Sequence, residues 1–349
     1  MDLKPSPLPY RRSMVAGRQL FSYSRGYKIA GEPIYAERAS RIYSDLLRRF
    51  WDDRYGGWFF SVGHDGSPYD ARKDLYAQAF VMFGLAHYGA IFKDADAFSW
   101  ASKTHELITT RLALPSGWFA SGASRTWQFE DASLAQDPHM HLLEAYLSLY
   151  RASGQHDFLV ASNNIMSIYD RFLNPSGKDF VLSYLDQAGN AKPDVGHIVE
   201  PGHLFEWYWL VSEYAETVGT DAYSDRAERT LKWATSFGVD GANGGIYDQV
   251  DTSGKIVSTR KRIWPVTECI KASVTRRRKG GDTRVPTELE TWVEFLRKSY
   301  FHGCGLWHEY LNVTLDPDSD YLPASTVYHI AMAALEVDRL ESGVGAIAL

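Results

Sequence analysis

The sequence predicts an all-α fold, an (α/α)6 toroid of helix pairs with short Gly-aromatic hairpins at one mouth. Three observations carry this. A small-residue, glycine and aromatic motif recurs at intervals of about sixty residues. Two stretches of helical periodicity lie between successive copies. No composition break or long linker divides the 349 residues, so 1–349 reads as one domain.

The motif reads Gly56-Gly57-Trp58-Phe59-Phe60, then Ser116-Gly117-Trp118-Phe119, then Ser176-Gly177 leading to Phe180. It returns as Gly244-Gly245-Ile246-Tyr247 and Gly303-Cys304-Gly305-Leu306-Trp307. Asp65-Gly66 and Ser253-Gly254, which follow two of the copies, are hairpin turn signals. The first helical stretch runs over about 11–30. In 33–51, Ile34, Tyr35, Ala39, Ile42, Leu46, Leu47 and Phe50 recur mostly at three- and four-residue steps. In 74–92 the series is Leu75, Tyr76, Ala79, Phe80, Phe83, Leu85, Ala86 and Ile91. Further helices are expected over 95–113, 137–153, 156–173, 201–218, 222–237, 263–277, 285–300 and 324–341. A helix pair cannot bury its apolar face alone, so pairs must stack, in an open superhelix or a closed ring. Eleven helices amount to a six-pair ring lacking its first helix. Pro5–Tyr10, a partner subunit or a loop is expected to cover part of the gap.

Composition narrows the function classes. Net charge is −6, so no basic field for nucleic acid or anionic lipid is expected. No apolar leader opens the chain and no membrane-spanning stretch is expected. Cys269 and Cys304 make no disulfide framework, which fits a reduced, cytoplasmic setting. Aromatic residues reach 14%, and flat apolar faces with polar tips suit sugar rings. The run Arg276-Arg277-Arg278-Lys279 reads mainly as a solvated helix end, with phosphate binding as the lesser reading.

Four segments carry groups fit for chemistry. His139-Met140-His141 opens a helix, with Glu144 one turn beyond His141. Two histidines at i and i+2 are a poor helical metal pair. Pro201-Gly202-His203 marks a helix start, so His203 lies in the first turn, where the helix dipole disfavours imidazolium. A neutral ring there can accept a proton, and Glu206, one turn on, can orient it or bind a sugar hydroxyl. Trp264 and Glu268, four apart at another helix start, pair an aromatic face with a carboxylate. His329 opens the last helix at the same mouth as His203, and together they form a candidate acid/base pair for moving a proton beside a carbonyl. Phosphate-loop, zinc and nucleophile-elbow motifs are absent, so no metal and no cofactor is expected.

The segments Arg18-Gln19-Leu20-Phe21, Lys73-Asp74-Leu75-Tyr76, Pro138 through Ala145, Pro201 through Trp207, Arg262 through Glu268 and Val327-Tyr328-His329 stand in order along the chain. Taken together they resemble the N-acylglucosamine 2-epimerase family, over about Arg11–Arg339. The resemblance implies an (α/α)6 barrel and metal-free proton transfer next to a sugar carbonyl. It implies His203 and His329 as the catalytic pair and His141 as a ring-opening or substrate-holding group. It places Arg18 over the carbonyl oxygen and makes Tyr76, Glu206 and Glu268 substrate contacts. Its bacterial mannose-isomerase-like members point to a free hexose, most simply mannose to fructose. The alternatives are a 2-epimerase on an N-acylhexosamine or disaccharide, a non-catalytic carbohydrate-binding protein, and a glycoside hydrolase on the same toroid. The expected partner is a small-molecule sugar, not nucleic acid or membrane, and a homodimer is left open.

Overall fold

The computed structural model describes residues 4–129, 134–172, 177, 179–186, 189–280, 288–303 and 305–343. Ser176 and Cys304 of the repeated motif lie outside the described residues. Eleven α-helices occur among the described residues: α1 (Ser13–Ala30), α2 (Pro33–Asp45), α3 (Leu75–Phe92), α4 (Ala95–Leu107), α5 (Gln136–Ser153), α6 (His156–Phe172), α7 (Pro201–Val218), α8 (Ser224–Gly238), α9 (Ile263–Arg278), α10 (Glu288–Phe295) and α11 (Thr326–Ser342). Their number and order are those expected. Two compact units emerge, residues 1–134 with 144–159, and residues 135–143 with 160–348.

In the first unit α1 packs on α3, while α2 packs on α1 and α4 on α3. Periodicity explains the layering. Helix α3 has apolar residues on all sides and is mostly buried, whereas α2 buries only Ala39. By length and composition α3 is apolar enough to cross a membrane, which corrects the expectation that no such stretch exists. Its apolar surface lies inside the unit, as a core helix requires. Asp74 caps α3 by accepting the Ala77 N–H at 2.9 Å, and Asp94 caps α4 through Ala97 at 3.0 Å. Gly17 and Gly84 let α1 and α3 touch backbone to backbone. A Cβ on Gly17 would stand 2.3 Å from the Phe80 carbonyl oxygen, and one on Gly84 2.5 Å from that of Gly17. The Pro5–Tyr10 segment runs along a hairpin: the Leu8 carbonyl meets His64 Nε2 at 3.0 Å, and Tyr10 packs on Tyr69.

In the second unit α7, α9 and α11 pack side by side, with α8 on α7 and α10 on α9. Pro201 starts α7, and Gly219, left-handed at φ 75°, ends it.

The repeated motif is a chain reversal. Gly56 and Gly57 have φ of 73° and 74°, and Gly244 and Gly245 have φ of 85° and 84°, a region open to glycine. The root of each reversal is stapled by a buried ion pair. Lys73 Nζ meets Asp52 Oδ2 at 3.0 Å in the first unit, and Lys261 Nζ meets Asp240 Oδ2 at 2.7 Å in the second. Each aspartate also accepts two backbone N–H groups of its own turn, from Arg54 and Tyr55 or from Ala242 and Asn243. Short strands then tie the hairpins to the inner-helix starts: Lys73–Asp74 pairs Gly122–Ala123, and Lys261–Arg262 pairs Tyr310–Leu311.

Candidate active site

The anticipated residues fall into two groups. In the first unit, Arg18 donates from Nη2 to the Tyr76 hydroxyl at 2.8 Å, and its guanidinium lies 4.0 Å from the Phe80 ring centroid. The cation is thus fixed and buried with an aromatic face behind it.

The second unit gathers the rest. Trp264, in the first turn of α9, has His203 of α7 at 4.9 Å and His329 of α11 at 5.6 Å, centroid to centroid. Both candidate imidazoles therefore pack on one indole. Glycine makes this approach feasible: a Cβ on Gly202 would lie 2.5 Å from the Trp264 ring. Burial, joined by the Arg262 guanidinium and opposed by Glu268, pushes the His203 pKa down to about 4. A ring so shifted is neutral at pH 7, and the cause is burial.

Glu206 Oε1 lies 3.9 Å from His141 Nδ1 and 3.9 Å from Lys271 Nζ. The carboxylate beside His203 Nδ1 is Glu200, at 3.5 Å. Glu268 holds the other catalytic candidate: its Oε1 lies 2.8 Å from His329 Nδ1, within hydrogen-bond distance, and its Oε2 meets Lys271 Nζ at 2.5 Å. Tyr328 stands beside both His329 and His141. Burial raises the Glu268 carboxyl above its ordinary value, against the pull of Lys271.

Glu206, Glu268 and His329 each offer one atom within 4.8 Å of the others, a spacing that can hold a cation. The Lys271 ammonium already supplies positive charge to both carboxylates, so a metal ion there must compete with it.

Lys271 itself, Glu200 and a ring of charge around Arg262 escaped the sequence reading. Arg262 meets Glu309 at 3.4 Å, and Glu309 accepts from Thr326 Oγ1 at 2.8 Å, tying the start of α11 to the same hairpin. Burial and the neighbouring Glu200 push Asp248 up to about 6 against the pull of Arg262. The available signal was spacing: Lys271 is three residues past Glu268, and Glu200 three before His203.

Three cations of the basic run meet acids and the fourth a hydroxyl. Arg276 pairs with Glu288, Arg277 with Glu290, Arg278 with Glu213 and Glu216, and Lys279 donates to Ser212.

His139 faces away from this chemistry. It packs on Phe172 and donates from Nδ1 to the Ala135 carbonyl at 2.9 Å, and burial pushes its pKa down to about 4. The unfolded chain protonates it near 6.5, so its contribution to stability is complete above that pH and is lost as pH falls towards 4. By pH 5 the loss is about 2 kcal/mol. His139→Asn keeps a donor but cannot titrate. Urea unfolding should show the variant gaining about 2 kcal/mol on wild type between pH 7 and pH 5. An unchanged difference would contradict the buried neutral ring.

The family model for N-acylglucosamine 2-epimerase (GlcNAc 2-epimerase) matches residues 1–333. The chain belongs to this family. Among its 2-epimerase-family relatives, a cellobiose 2-epimerase of Bacteroides fragilis is 25% identical, covering 90% of this chain and 83% of its own. A mannose-6-phosphate isomerase of Rhizobium meliloti is 26% identical over 97% of this chain and 88% of its own. The crystal structure of a D-mannose isomerase superposes with a TM-score of 0.87 at 19% identity, over 96% of this chain and 88% of that one. That likeness shows the fold, an α/α toroid of helix pairs. The family and these relatives make the chain an enzyme of the isomerase class.

Proposed function

We propose that this family member is a metal-free sugar isomerase that moves a proton between C2 and C1 of a free hexose, most simply converting mannose to fructose. The observation that carries the reading is the packing of His203 and His329 on the two contacts of one indole, one ring neutral by burial and the other bonded to a carboxylate. One imidazole takes the C2 proton and the electron pair passes to the carbonyl oxygen, giving an enediolate. Returning the carbon proton to C1 while the O2 hydroxyl proton passes to O1 gives the ketose; a proton given by the other imidazole to the opposite face of C2, with the C1 carbonyl restored, gives the epimer. We assign His141, Glu206, Glu268 and Trp264 to substrate holding. A free sugar is favoured over a phosphosugar because each cation of the 276–279 run already has a partner.

The test is incubation with mannose, glucose, N-acetylmannosamine and cellobiose in heavy water, read by NMR. The expected result is deuterium on C1 of fructose formed from mannose. Deuterium confined to C2, with an epimer as product, would replace isomerisation by 2-epimerisation. Binding without exchange on any sugar would leave a carbohydrate-binding protein, and new reducing ends from an oligosaccharide would leave a hydrolase.

A further inference from the structure

Lys271 lies on the buried side of α9 with none of its side chain exposed, a costly place for an ammonium. Its immediate partner is Glu268, also fully buried, at 2.5 Å. Glu268 in turn spends its other oxygen on His329 Nδ1. The three groups form one file, Lys271 to Glu268 to His329, that ends on a ring packed against Trp264. The Lys271 cation also lies 3.7 Å from the Trp209 ring centroid, which fixes it from behind.

We propose that Lys271 is a positioning residue for His329: its ammonium keeps Glu268 a carboxylate, and the carboxylate holds His329 with Nδ1 protonated and Nε2 carrying the lone pair. This rests on reading His329 as an acid/base group. A carboxylate has only acceptors, so it selects the Nδ1–H ring. A protonated Glu268 has an O–H to give, and donating it to Nδ1 leaves the proton on Nε2, where no lone pair remains to take one from a sugar. Burial drives Glu268 towards the protonated form, and Lys271 opposes it. Other charges face this file. Glu206 of α7 is 3.9 Å from Lys271, and His203 of α7 and His141 of α5 act on Glu268. Glu336 of α11 shares the field of Lys271. Among these groups Lys271 is the permanent cation in contact with Glu268.

The sign of the pH effect follows. The working form needs ionised Glu268, so activity falls as pH drops through the Glu268 pKa. Removing the ammonium raises that pKa, and the acid limb moves to higher pH. For Lys271→Met, the acid limb of kcat/KM should rise by about one pH unit or more, with activity regained above it. In a Glu268→Gln background, whose amide oxygen still accepts from Nδ1 but cannot titrate, the same change should leave the limb in place. A loss equal at every pH, or an equal shift in both backgrounds, overturns the proposal. The ring is also read without any sugar, by 15N NMR of His329. Wild type should hold the Nδ1–H tautomer at pH 7, and Lys271→Met should move towards Nε2–H. Nε2–H in wild type, or one unchanged tautomer in both from pH 6 to 9, overturns it. Lys271→Gln serves the same comparisons if the Met variant does not fold. If wild type exchanges no sugar proton, the isomerase reading fails while the tautomer measurement still decides the role of Lys271.

Discussion

His329→Ala and His203→Ala should each slow deuterium exchange at the sugar carbons by about 10²–10⁴-fold, the range over which a positioned acid or base acts. The two losses have different origins. His329 Nδ1 lies 2.8 Å from Glu268 Oε1, so its removal takes away a ring whose place is set by a carboxyl group. His203 is kept neutral by burial, so its removal takes away an acceptor that stays uncharged across the working pH range. The pattern also separates the two chemistries. A single base can carry a proton from C2 to C1, so an isomerase keeps a trace of turnover when the less essential ring is lost. Inverting C2 needs a group on each face, so a 2-epimerase that loses either ring forms no product, while the ring that remains still exchanges the C2 proton of the one epimer it faces. His329→Ala should also melt below wild type, because it leaves the buried Glu268 Oε1 without its 2.8 Å partner, so rates are compared at a temperature where both variants are folded. Wild-type exchange rates in either variant would remove that ring from the mechanism.

Gly17→Ala should lower unfolding stability by about 3 kcal/mol, at the upper end of what overpacking costs. The obstacle is backbone: the added carbon would meet the Phe80 carbonyl oxygen and carbon at 2.3 and 2.6 Å. Side chains can turn aside, but a carbonyl inside a buried helix cannot move without breaking the helix's own hydrogen bonds. Helix α1 must therefore back away from α3, loosening Leu20 and Phe21, which are fully buried between neighbours. Chemical denaturation of the variant checks this, with Gly31→Ala as the contrast. Gly31 also ends a helix in the left-handed region, yet nothing lies within 4 Å of a Cβ there, so its cost is strain alone. Equal losses at the two sites would mean that close approach does not set the price at Gly17.

The helices were legible because apolar residues repeat at a period that only a helix satisfies, and the hairpins because glycine is demanded where φ is positive. What the period could not show was how three outer helices end. Leu46–Phe50, Ile108–Leu112 and Leu296–Tyr300 close in wider π-helical turns. One added residue per turn leaves apolar spacing almost unchanged, so the sequence reads straight through. The candidate site was legible where chemistry coincided with helix starts, as at His203, Trp264 and His329. Lys271 was invisible for the opposite reason. A lysine three residues past a glutamate on an amphipathic helix reads as a solvated pair, and only the packing of α7 and α11 on α9 removes the water. Glu200 was missed because, by spacing, a carboxylate one turn before His203 is no better a neighbour than one a turn after it.

The Lys73–Asp52 and Lys261–Asp240 staples sit at the base of their loops, and the loop ends beyond them carry exposed residues such as Tyr69 and Val257. A loop anchored in this way can lengthen, shorten or change its lettering outside the anchor without disturbing the helices beneath. Each anchor thus divides its loop into an outer part open to variation and a base whose place is held by the charge pair.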